Sequence, residues 1–430
     1  MSSHYSFSPP LASTAMTMEH IVVVGASLAG LRACETLRDE GFDARITLVG
    51  AEREIPYDRP PLSKKVLAGE WEPERIRLRK PDDFHSLGLD LRLGVRATAL
   101  DLDARVVTVD DASNGSTVAF DGLVIATGAS PRRLPDQPAL DGIVELRTLA
   151  DSTDLRDRIA DGTARVTIIG AGFIGLEVAA TARGRGCAVT VLEGAPSPLV
   201  RGLGVAMGAA VAGVHGRNGV DLRCGVQIAG IEGSGGHVTG VRLRDGSVVG
   251  SDVVVVGIGV APNTEWLAGS GLNLRDGIVC DATLCAGVPG IYAAGDCARW
   301  PNAAFEGFDD TEMRVEHWTN AAEQGAAAAR NLVAVSHGDA PEPFTSVPFF
   351  WSDQFDSRVQ FVGRAHGDDE VRVFAGSIDG AFAALYGYQG RLRGVLGVSM
   401  PKMVMPFRAL LAQGATWSVA LDKAAALTAG

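Results

Sequence analysis

The chain contains 430 residues, of which 46% are hydrophobic and 21% are charged, and its formal net charge at pH 7 is −12. A single hydrophobic core usually stops growing at roughly 250 to 300 residues, so this length predicts two or three globular domains. The acidic balance argues against a nucleic-acid-binding protein, which requires clustered lysine and arginine. No apolar run reaches the roughly 18 residues of a membrane span, so we expect no membrane partner.

The N-terminal segment and the cysteines bear on the cellular compartment. Residues 1–18 read MSSHYSFSPPLASTAMTM and lack a basic start followed by an apolar stretch. They are therefore predicted to form a flexible leader rather than a secretory signal. Six cysteines are scattered along the chain without CxxC motifs or histidines at zinc-site spacing. This usage predicts reduced thiols, a cytoplasmic location and no metal site.

The first strand-turn-helix pattern lies near the N-terminus. The β-branched run at 21–24 is followed by GASLAG at 25–30 and by LRACETLRDEG, where apolar residues recur at helical spacing. The turn resembles a dinucleotide-binding fingerprint whose middle glycine is replaced by Ser27. Where the following strand, ITLVG, ends, Gly50 occupies the usual acidic position and the nearest acid is Glu52. Taken alone, this turn is compatible with a nucleotide site or with a tight scaffold turn.

The second pattern contains an intact fingerprint. The strand-like run at 165–169 precedes GAGFIG at 170–175, and Glu193 ends the next strand, AVTVLE. In such a turn the glycines permit a tight bend, close approach of a pyrophosphate and packing of helix on strand. An acid at the strand end accepts hydrogen bonds from ribose hydroxyls and repels a 2′-phosphate, which favours NADH over NADPH. The alternative is a solvated glutamate at a strand end.

Strands and helices alternate along most of the chain, which predicts a doubly wound α/β fold with parallel sheets. The two glycine turns are far enough apart for two related domains. The strand-like segments DGLVIATGAS and GIYAAGDCA flank the second unit, which indicates that it is inserted in the first. From about Pro341, short alternating stretches predict antiparallel strands, and FRALLAQGATWSVALDKAAAL is predicted to be helical. These segments suggest a third domain of the α+β class.

Several quoted motifs carry a family resemblance. IPYDRPPLSKKVLAG, LVIATGASPRRLP, ELRTLAD, GFIGLEVAA, GIGVAPN, GIYAAGDCA, RVEHWTNAAEQG and FFWSDQF occur in this order. The chain thereby resembles the bacterial FAD-dependent NADH:ferredoxin reductases of cytochrome P450 and ring-hydroxylating dioxygenase systems. The resemblance implies two Rossmann-like nucleotide-binding domains of the glutathione-reductase type and a C-terminal α+β domain. The implied boundaries are residues 19–130 and 265–335 for FAD, 131–264 for NADH, and 336–430 for the C-terminal reductase domain.

The resemblance also implies which residues contact each nucleotide. The residues expected to contact FAD are Gly25, Ser27, Leu28, Ala29, Gly30, Glu52, Arg59, Lys64, Ala97, Thr127, Gly128, Arg147, Asp296 and Trp318. The residues expected to contact NADH are Gly170, Gly172, Phe173, Ile174, Gly175, Glu193 and Gly259. Lys64 and Glu177 are expected to serve catalysis as an ion pair across the domain boundary.

The implied reaction passes a hydride from NADH to FAD and then single electrons to a small iron–sulfur ferredoxin, which supplies a cytochrome P450 or a similar oxygenase. A basic patch would help an acidic chain to dock a typically acidic ferredoxin. The candidate cations are Arg59, Lys64, Lys65, Arg75, Arg77, Arg79 and Lys80.

Two other classes remain open. Another NADH-dependent flavoenzyme, of the rubredoxin reductase or NADH oxidase type, shares this architecture, but the oxidase would need an active cysteine near DRPPLSKK, where the sequence has none. A flavin-binding interaction protein resembling apoptosis-inducing factor is the non-enzymatic alternative.

Overall fold

The computed structural model describes residues 16–111, 115–308 and 311–429. Most of the predicted flexible leader, residues 1–15, lies outside these ranges. Met18 is buried in the core of the first unit, and the backbone N–H of Met16 donates to the carbonyl of Val335. The last residues of the predicted leader therefore pack against the first unit.

The first unit begins with the apolar run that the sequence predicts to be a strand. Its four β-branched residues are almost fully buried, and the following helix turns its apolar side, including Leu31 and Leu37, toward the interior. The elements are β1 (His20–Val24), α1 (Leu28–Asp39), β2 (Arg45–Gly50), α2 (Pro81–Ser86), β3 (Leu89–Leu93), β4 (Arg96–Asp101), β5 (Val106–Asp110), β6 (Ser116–Ala119), β7 (Gly122–Ile125) and β8 (Ala129–Pro131).

The second unit repeats this strand-turn-helix start. A capping box at Thr148 and Asp151 fixes the start of the helix that precedes its central strand. The elements are β9 (Ile143–Val144), α3 (Leu149–Arg158), β10 (Arg165–Ile169), α4 (Phe173–Gly184), β11 (Ala188–Glu193), α5 (Val200–Arg217), β12 (Asp221–Cys224), β13 (Ile228–Ser234), β14 (His237–Leu243), β15 (Val248–Gly250), β16 (Val253–Val256) and β17 (Val260–Pro262).

The remaining elements complete the first unit and build the C-terminal domain. They are β18 (Ile278–Val279), β19 (Ile291–Ala293), β20 (Ala298–Pro301), β21 (Glu312–Arg314), α6 (Trp318–His337), β22 (Phe349–Gln354), β23 (Ser357–Gly363), β24 (Glu370–Gly376), β25 (Phe382–Tyr388), β26 (Arg391–Val398), α7 (Arg408–Ala412) and α8 (Trp417–Thr428). The predicted C-terminal helical segment is thus two helices, because the chain turns at Gly414, whose φ is +63°.

Each nucleotide-type unit contains a five-stranded parallel sheet. The strand orders are β19-β7-β1-β2-β3 and β12-β11-β10-β16-β9. Because β19 follows the whole second unit in sequence and pairs with β7 in parallel, the second unit is inserted in the first, as expected. The antiparallel pair β8-β17 connects the two units. This topology brings the carboxyl ends of β1 and β7 together, where doubly wound sheets bind ligands.

The C-terminal domain confirms the predicted α+β class. Its five-stranded antiparallel sheet has the order β22-β23-β26-β25-β24, and α7 and α8 contact its strands. Strand β22 also contacts α4 of the second unit and α6 of the first. The C-terminal domain therefore reaches the place where the other two units meet. Of the helices in the described ranges, none combines the length and apolar character that crossing a bilayer requires.

Candidate functional site

A cleft of about 860 Å³ opens at the carboxyl ends of the first parallel sheet. Its volume lies within the range of about 300 to 1,000 Å³ that is usual for small-molecule sites. The predicted site residues that line it are Gly25, Ser27, Leu28, Ala29, Glu52, Arg59, Lys64, Ala97, Thr127, Gly128, Arg147, Phe173, Ile174, Glu177, Asp296 and Trp318. Gly30, Gly170, Gly172, Gly175, Glu193 and Gly259 are not among the residues that line it.

The first glycine turn connects β1 to α1 at the floor of this cleft. Gly25 has a φ of +120°, and a Cβ there would lie 2.0 Å from the carbonyl oxygen of Ala126. A Cβ on Gly30 would lie 1.9 Å from the carbonyl oxygen of Gly25, so both glycines are required by close packing. Ser27 occupies the N-cap of α1 without a side-chain capping bond. The turn thus presents the N-terminus of a helix to the cleft, which suits a phosphate group.

The acid nearest the end of β2 is held by two neighbours. The phenol of Tyr57 donates to Glu52 Oε2, and Arg59 Nη2 donates to Glu52 Oε1 at 2.5 Å. Arg59 Nη1 also donates to the carbonyl of Arg147 at 2.6 Å. A carboxylate has about four lone-pair sites, so Glu52 retains acceptor capacity toward the cleft. Ala51 also lines the cleft but offers no side-chain acceptor.

A second ion pair crosses from the start of the second unit back to the first. Arg147 Nη2 donates to Asp296 Oδ2 at 2.9 Å, and both side chains are mostly buried. Thr127 and Gly128 are fixed to the second unit, since Asn263 donates to the carbonyl of each at 2.9 Å. These contacts hold Asp296 and Arg147 on one wall of the cleft.

Aromatic side chains form another wall. Trp318 begins α6, and its Nε1 donates to Asp58 Oδ1 at 2.7 Å. Burial raises the pKa of the Asp58 carboxyl above its ordinary value. Trp318 and Trp351 meet edge to face with ring centroids 6.2 Å apart. His317 lies beside Phe350, and burial lowers the pKa of its imidazole to about 4, so it is neutral at pH 7.

The predicted pair of Lys64 and Glu177 forms across the boundary between the first two units. The Nζ of Lys64 lies 2.8 Å from Glu177 Oε2, and the glutamate side chain is only 6% exposed. Ser63 Oγ donates to the same oxygen, and Ser352 Oγ donates to Glu177 Oε1 at 2.7 Å. The glutamate is therefore a buried charge with three donors, as such a group requires.

The second glycine turn lies next to the cleft. A Cβ on Gly170 or Gly175 would lie 2.4 or 2.3 Å from a backbone carbonyl oxygen, whereas a Cβ on Gly172 would meet nothing within 4 Å. The two carboxylate oxygens of Glu193 accept the backbone N–H groups of Ala171 and Ala195 at 2.7 and 2.8 Å. Glu193 thus supports the turn, and its carboxylate retains lone pairs for further hydrogen bonds.

The cleft shows features that fit a bound dinucleotide. Trp266 Nε1 and His317 Nδ1 are buried without a hydrogen-bond partner, and both residues line the cleft. Buried polar atoms in native proteins are normally hydrogen-bonded, so these two point to a missing polar ligand. The helix N-terminus at Ser27 adds a place for its phosphates. The donor set therefore matches a large nucleotide cofactor.

Sequence reasoning missed several residues of the cleft. Tyr57 and Asp58 lie in the quoted segment IPYDRPPLSK, so the signal was present without a role attached. His317 directly precedes Trp318 and could have been included on that ground. No sequence pattern singled out Trp266, which enters the cleft through a short 3₁₀ turn at Glu265–Leu267.

Most cations of the predicted basic docking patch form ion pairs within the chain. Five of its seven cations are paired with glutamates: Arg59 with Glu52, Lys64 with Glu177, Lys65 with Glu70, Arg77 with Glu74, and Arg79 with Glu35. Arg75 lies over the ring of Trp71 at 4.3 Å. Acids therefore match most of these charges individually, and docking of a ferredoxin on this segment stays a prediction.

Comparison with known proteins assigns the chain to a family. The model of the pyridine nucleotide-disulphide oxidoreductases matches residues 19–325, and the model of the reductase C-terminal domain matches residues 349–428. The chain therefore belongs to the pyridine nucleotide-disulphide oxidoreductase family and carries the reductase C-terminal domain.

Individual relatives show which members of the family the chain resembles. The chain is 38% identical to rhodocoxin reductase of Rhodococcus erythropolis over 91% of this chain and 89% of the relative. It is 36% identical to putidaredoxin reductase CamA of Pseudomonas putida over 89% of each chain. The crystal structure of the covalent putidaredoxin reductase–putidaredoxin complex matches with a TM-score of 0.86 and 33% identity, and covers 95% of this chain and 98% of that chain. The fold and the domain content are thus those of ferredoxin reductases.

Proposed function

We propose that the protein is an FAD-dependent NADH:ferredoxin oxidoreductase. It delivers single electrons to a small iron–sulfur ferredoxin and through it to a cytochrome P450 or a similar oxygenase. The observation that carries the proposal is the cleft in which the first glycine turn, the buried pair of Lys64 and Glu177, and the C-terminal domain meet. The similarity to rhodocoxin reductase and putidaredoxin reductase supports the same reaction.

We assign FAD to the first unit because the residues of its cleft fit a dinucleotide. The turn at 25–30 would hold the pyrophosphate at the N-terminus of α1. Glu52 would accept the ribose hydroxyls, and Asp296, held by Arg147, would accept hydroxyls of the sugar-alcohol chain. When bound, FAD supplies the conversion of a two-electron hydride into two single electrons. Lys64 would place a positive charge beside the cofactor.

The other predicted FAD contacts line the same cleft. They are Leu28, Ala29, Ala97, Thr127, Gly128 and Trp318. Leu28 and Ala29 would present the backbone of the first turn of α1, and Ala97 would contact the adenine end through its backbone. Trp318 would supply an aromatic wall. Gly30 would act through close packing rather than direct contact.

NADH is assigned to the turn between β10 and α4. The open space at Gly172 lets a pyrophosphate approach the backbone, while Gly170 and Gly175 keep the turn tight. Glu193 would accept ribose hydroxyls and repel a 2′-phosphate. Phe173, Ile174 and Gly259 would complete this site, and the exposed side chain of Ile174 stands at its rim.

A cysteine-dependent mechanism is disfavoured by the surroundings of the thiols. Among the described residues that line the cleft there is no cysteine. Cys34, in the helix after the first turn, is fully buried, and burial raises the pKa of its thiol. A reactive thiolate requires the opposite environment, an exposed and electropositive one. An oxidase, a peroxidase or a disulfide reductase working through a redox cysteine therefore fits this cleft poorly.

The cellular location and the domain boundaries belong to the same proposal. The cysteines carry no disulfide in the structure, which accords with a reducing cytoplasm. The proposed domain limits of 19–130 with 265–335, 131–264 and 336–430 are supported by the insertion of the second unit between β8 and β18.

Reduction of the bound flavin tests the proposal. The purified protein is expected to be yellow and to release FAD on denaturation. Anaerobic NADH should bleach its visible absorption within the dead time of manual mixing, and NADPH should act much more slowly. A colourless protein that takes up no FAD, or a flavin that neither nucleotide reduces, would refute it.

A further inference from the structure

The motif FFWSDQF of the C-terminal domain has no role in the reaction described so far. Its strand, β22, contacts α4 and α6, which border the cleft. Phe350 and Trp351 line the cleft, whereas the side chains of Ser352 and Gln354 are fully buried. A buried polar pair on a sheet of largely apolar residues is costly unless its hydrogen bonds are satisfied. The partners of these two side chains therefore indicate what the motif does.

Ser352 binds the glutamate of the central ion pair. Its hydroxyl donates to Glu177 Oε1 at 2.7 Å, while Lys64 and Ser63 both donate to the other oxygen, Oε2. Donors on one oxygen alone would leave the carboxylate free to turn about its terminal bond. The donor on Oε1 fixes its plane, and that donor comes from the C-terminal domain.

The hydrogen bonds continue behind Ser352. Gln354 Nε2 donates to Ser352 Oγ at 3.1 Å, and His215 Nε2, on α5, lies 2.9 Å from Gln354 Oε1. His215 is fully buried, burial lowers the pKa of its imidazole, and its Nδ1 has no partner. A neutral ring must therefore carry its proton on Nε2 and donate it to Gln354. In this series of hydrogen bonds, His215 donates to Gln354, Gln354 to Ser352, and Ser352 to the Glu177 carboxylate.

We propose that Ser352, Gln354 and His215 are positioning residues that hold the Glu177 carboxylate in register with Lys64. The C-terminal domain would thereby set the geometry of the step in which NADH reduces the flavin, in addition to shaping the cleft. This inference rests on the proposed function. It assigns the polar residues of FFWSDQF to the ion pair, because their bonds are directed to it.

A double-mutant cycle in the FAD-containing enzyme tests the proposal. The variants are Ser352→Ala, Glu177→Ala and the double variant, and the limiting rate of flavin bleaching by NADH is measured anaerobically. Loss of a hydrogen bond to a charged group predicts a rate about tenfold lower for Ser352→Ala. The NADH concentration that gives half of the limiting rate should stay unchanged. In the Glu177→Ala background, Ser352→Ala should have no further effect on the rate.

Thermal unfolding of the same four proteins without NADH gives a readout independent of turnover. The destabilisation by Ser352→Ala should be smaller when Glu177 is already alanine, because the two groups are hydrogen-bonded. Ser352→Thr, which keeps the hydroxyl, should retain a rate close to that of the unchanged enzyme. Gln354→Leu removes the hydrogen bond behind Ser352 and leaves the bond from Ser352 to Glu177 in place. It should therefore lower the rate less than Ser352→Ala. It also supplies a test if Ser352→Ala fails to fold.

Ser251→Ala is the matched control. Ser251 is also a fully buried serine whose hydroxyl bonds another side chain, that of Thr167, but it makes no contact with the ion pair. This variant should lower the unfolding midpoint and leave the bleaching rate unchanged. Rate effects of Ser352→Ala and Glu177→Ala that multiply independently would overturn the proposal. Absence of bleaching in the unchanged enzyme would instead refute the proposed function, so the two failures are distinguishable.

Discussion

Glu193 does two things at once in the second unit. Its carboxylate accepts two backbone N–H groups of the surrounding turns and lies at the end of β11. A negative charge at this place disfavours a 2′-phosphate by like-charge repulsion and favours free hydroxyls by hydrogen bonding. Arg183 and Arg185, which lie nearby in sequence, donate to backbone carbonyls. Arg201 Nη1 lies 3.5 Å from the position of a Cβ on Gly259.

Glu193→Gln should weaken the preference for NADH over NADPH. The amide keeps the size and an acceptor oxygen but loses the charge, so the ratio of the two kcat/KM values should fall by about tenfold, which corresponds to ~1.4 kcal/mol. Steady-state assays with both nucleotides measure this ratio. Glu232→Gln, on β13, is the control and should leave it unchanged. An unaltered ratio for Glu193→Gln would mean that another residue selects the nucleotide.

His317, which lines the cleft, makes the stability of the fold depend on pH. Burial lowers the pKa of its imidazole from 6.5 to about 4 in the folded chain. Between these two values the unfolded chain binds more protons than the folded one, so the free energy of unfolding must fall as the pH falls. The contribution of the neutral His317 imidazole to the free energy of unfolding is complete above pH 6.5 and is lost as the pH approaches 4.

Replacement of this histidine should flatten that pH dependence. In the unchanged protein the loss attributable to His317 is on the order of 3 kcal/mol across the window, since one pKa unit corresponds to about 1.4 kcal/mol. His317→Gln should remove this part of the loss. Urea unfolding of both proteins at several values between pH 6.5 and 4 measures the difference. Parallel curves for the two proteins would contradict the assigned pKa.

At the scale of elements, the three glycines of the second turn have separate functions. Gly170 and Gly175 permit close approach of backbone to backbone, so a side chain there collides with a carbonyl oxygen. Gly172 has a φ of −78° and open space around it, so the fold itself would accept another residue. We therefore expect that a glycine is required here by the proposed nucleotide rather than by the fold.

Alanine substitutions should separate these functions. Gly172→Ala should leave the thermal midpoint unchanged and raise the KM for NADH by about tenfold, because a methyl group blocks the approach of the pyrophosphate. Gly175→Ala should instead destabilise the fold by roughly 1–3 kcal/mol, the usual cost of overpacking. Gly184→Ala, with open space at the other end of α4, is the control for the change itself. An unchanged KM in Gly172→Ala would place the nucleotide elsewhere.

Much of this architecture could be predicted from the sequence, for physical reasons. Four β-branched residues before a glycine turn have few alternatives to a buried parallel strand, and GAGFIG with Glu193 fixes the second unit in the same way. Contacts between distant segments were harder to predict. Ser352 binds Glu177, and Trp266 enters the cleft, because of tertiary packing that no local pattern encodes.

The pairing of charged side chains could not be predicted from composition alone. A row of basic residues between 59 and 80 suggested a docking patch, but most of them are matched by glutamates from the same or neighbouring segments. The sequence records how many charges are present, whereas the fold determines which of them are paired. The ferredoxin surface must therefore be sought by measurement rather than from the distribution of basic residues.

At the scale of the whole molecule, three units converge on one ion pair. The first provides Lys64, the inserted second unit provides Glu177, and the C-terminal domain provides Ser352. Because the second unit is inserted between β8 and β18, two chain connections join it to the first. This arrangement keeps the two proposed nucleotide sites adjacent.

The stoichiometry of anaerobic electron transfer tests the central claim most directly. The measurement combines NADH, the purified FAD-containing protein and each small iron–sulfur ferredoxin encoded beside its gene, and follows both nucleotide oxidation and reduction of the cluster by absorbance. The account predicts two reduced ferredoxins per NADH oxidised, since a hydride carries two electrons and each ferredoxin accepts one. Oxidation of NADH that leaves every ferredoxin oxidised, and that proceeds only when oxygen is admitted, would contradict it.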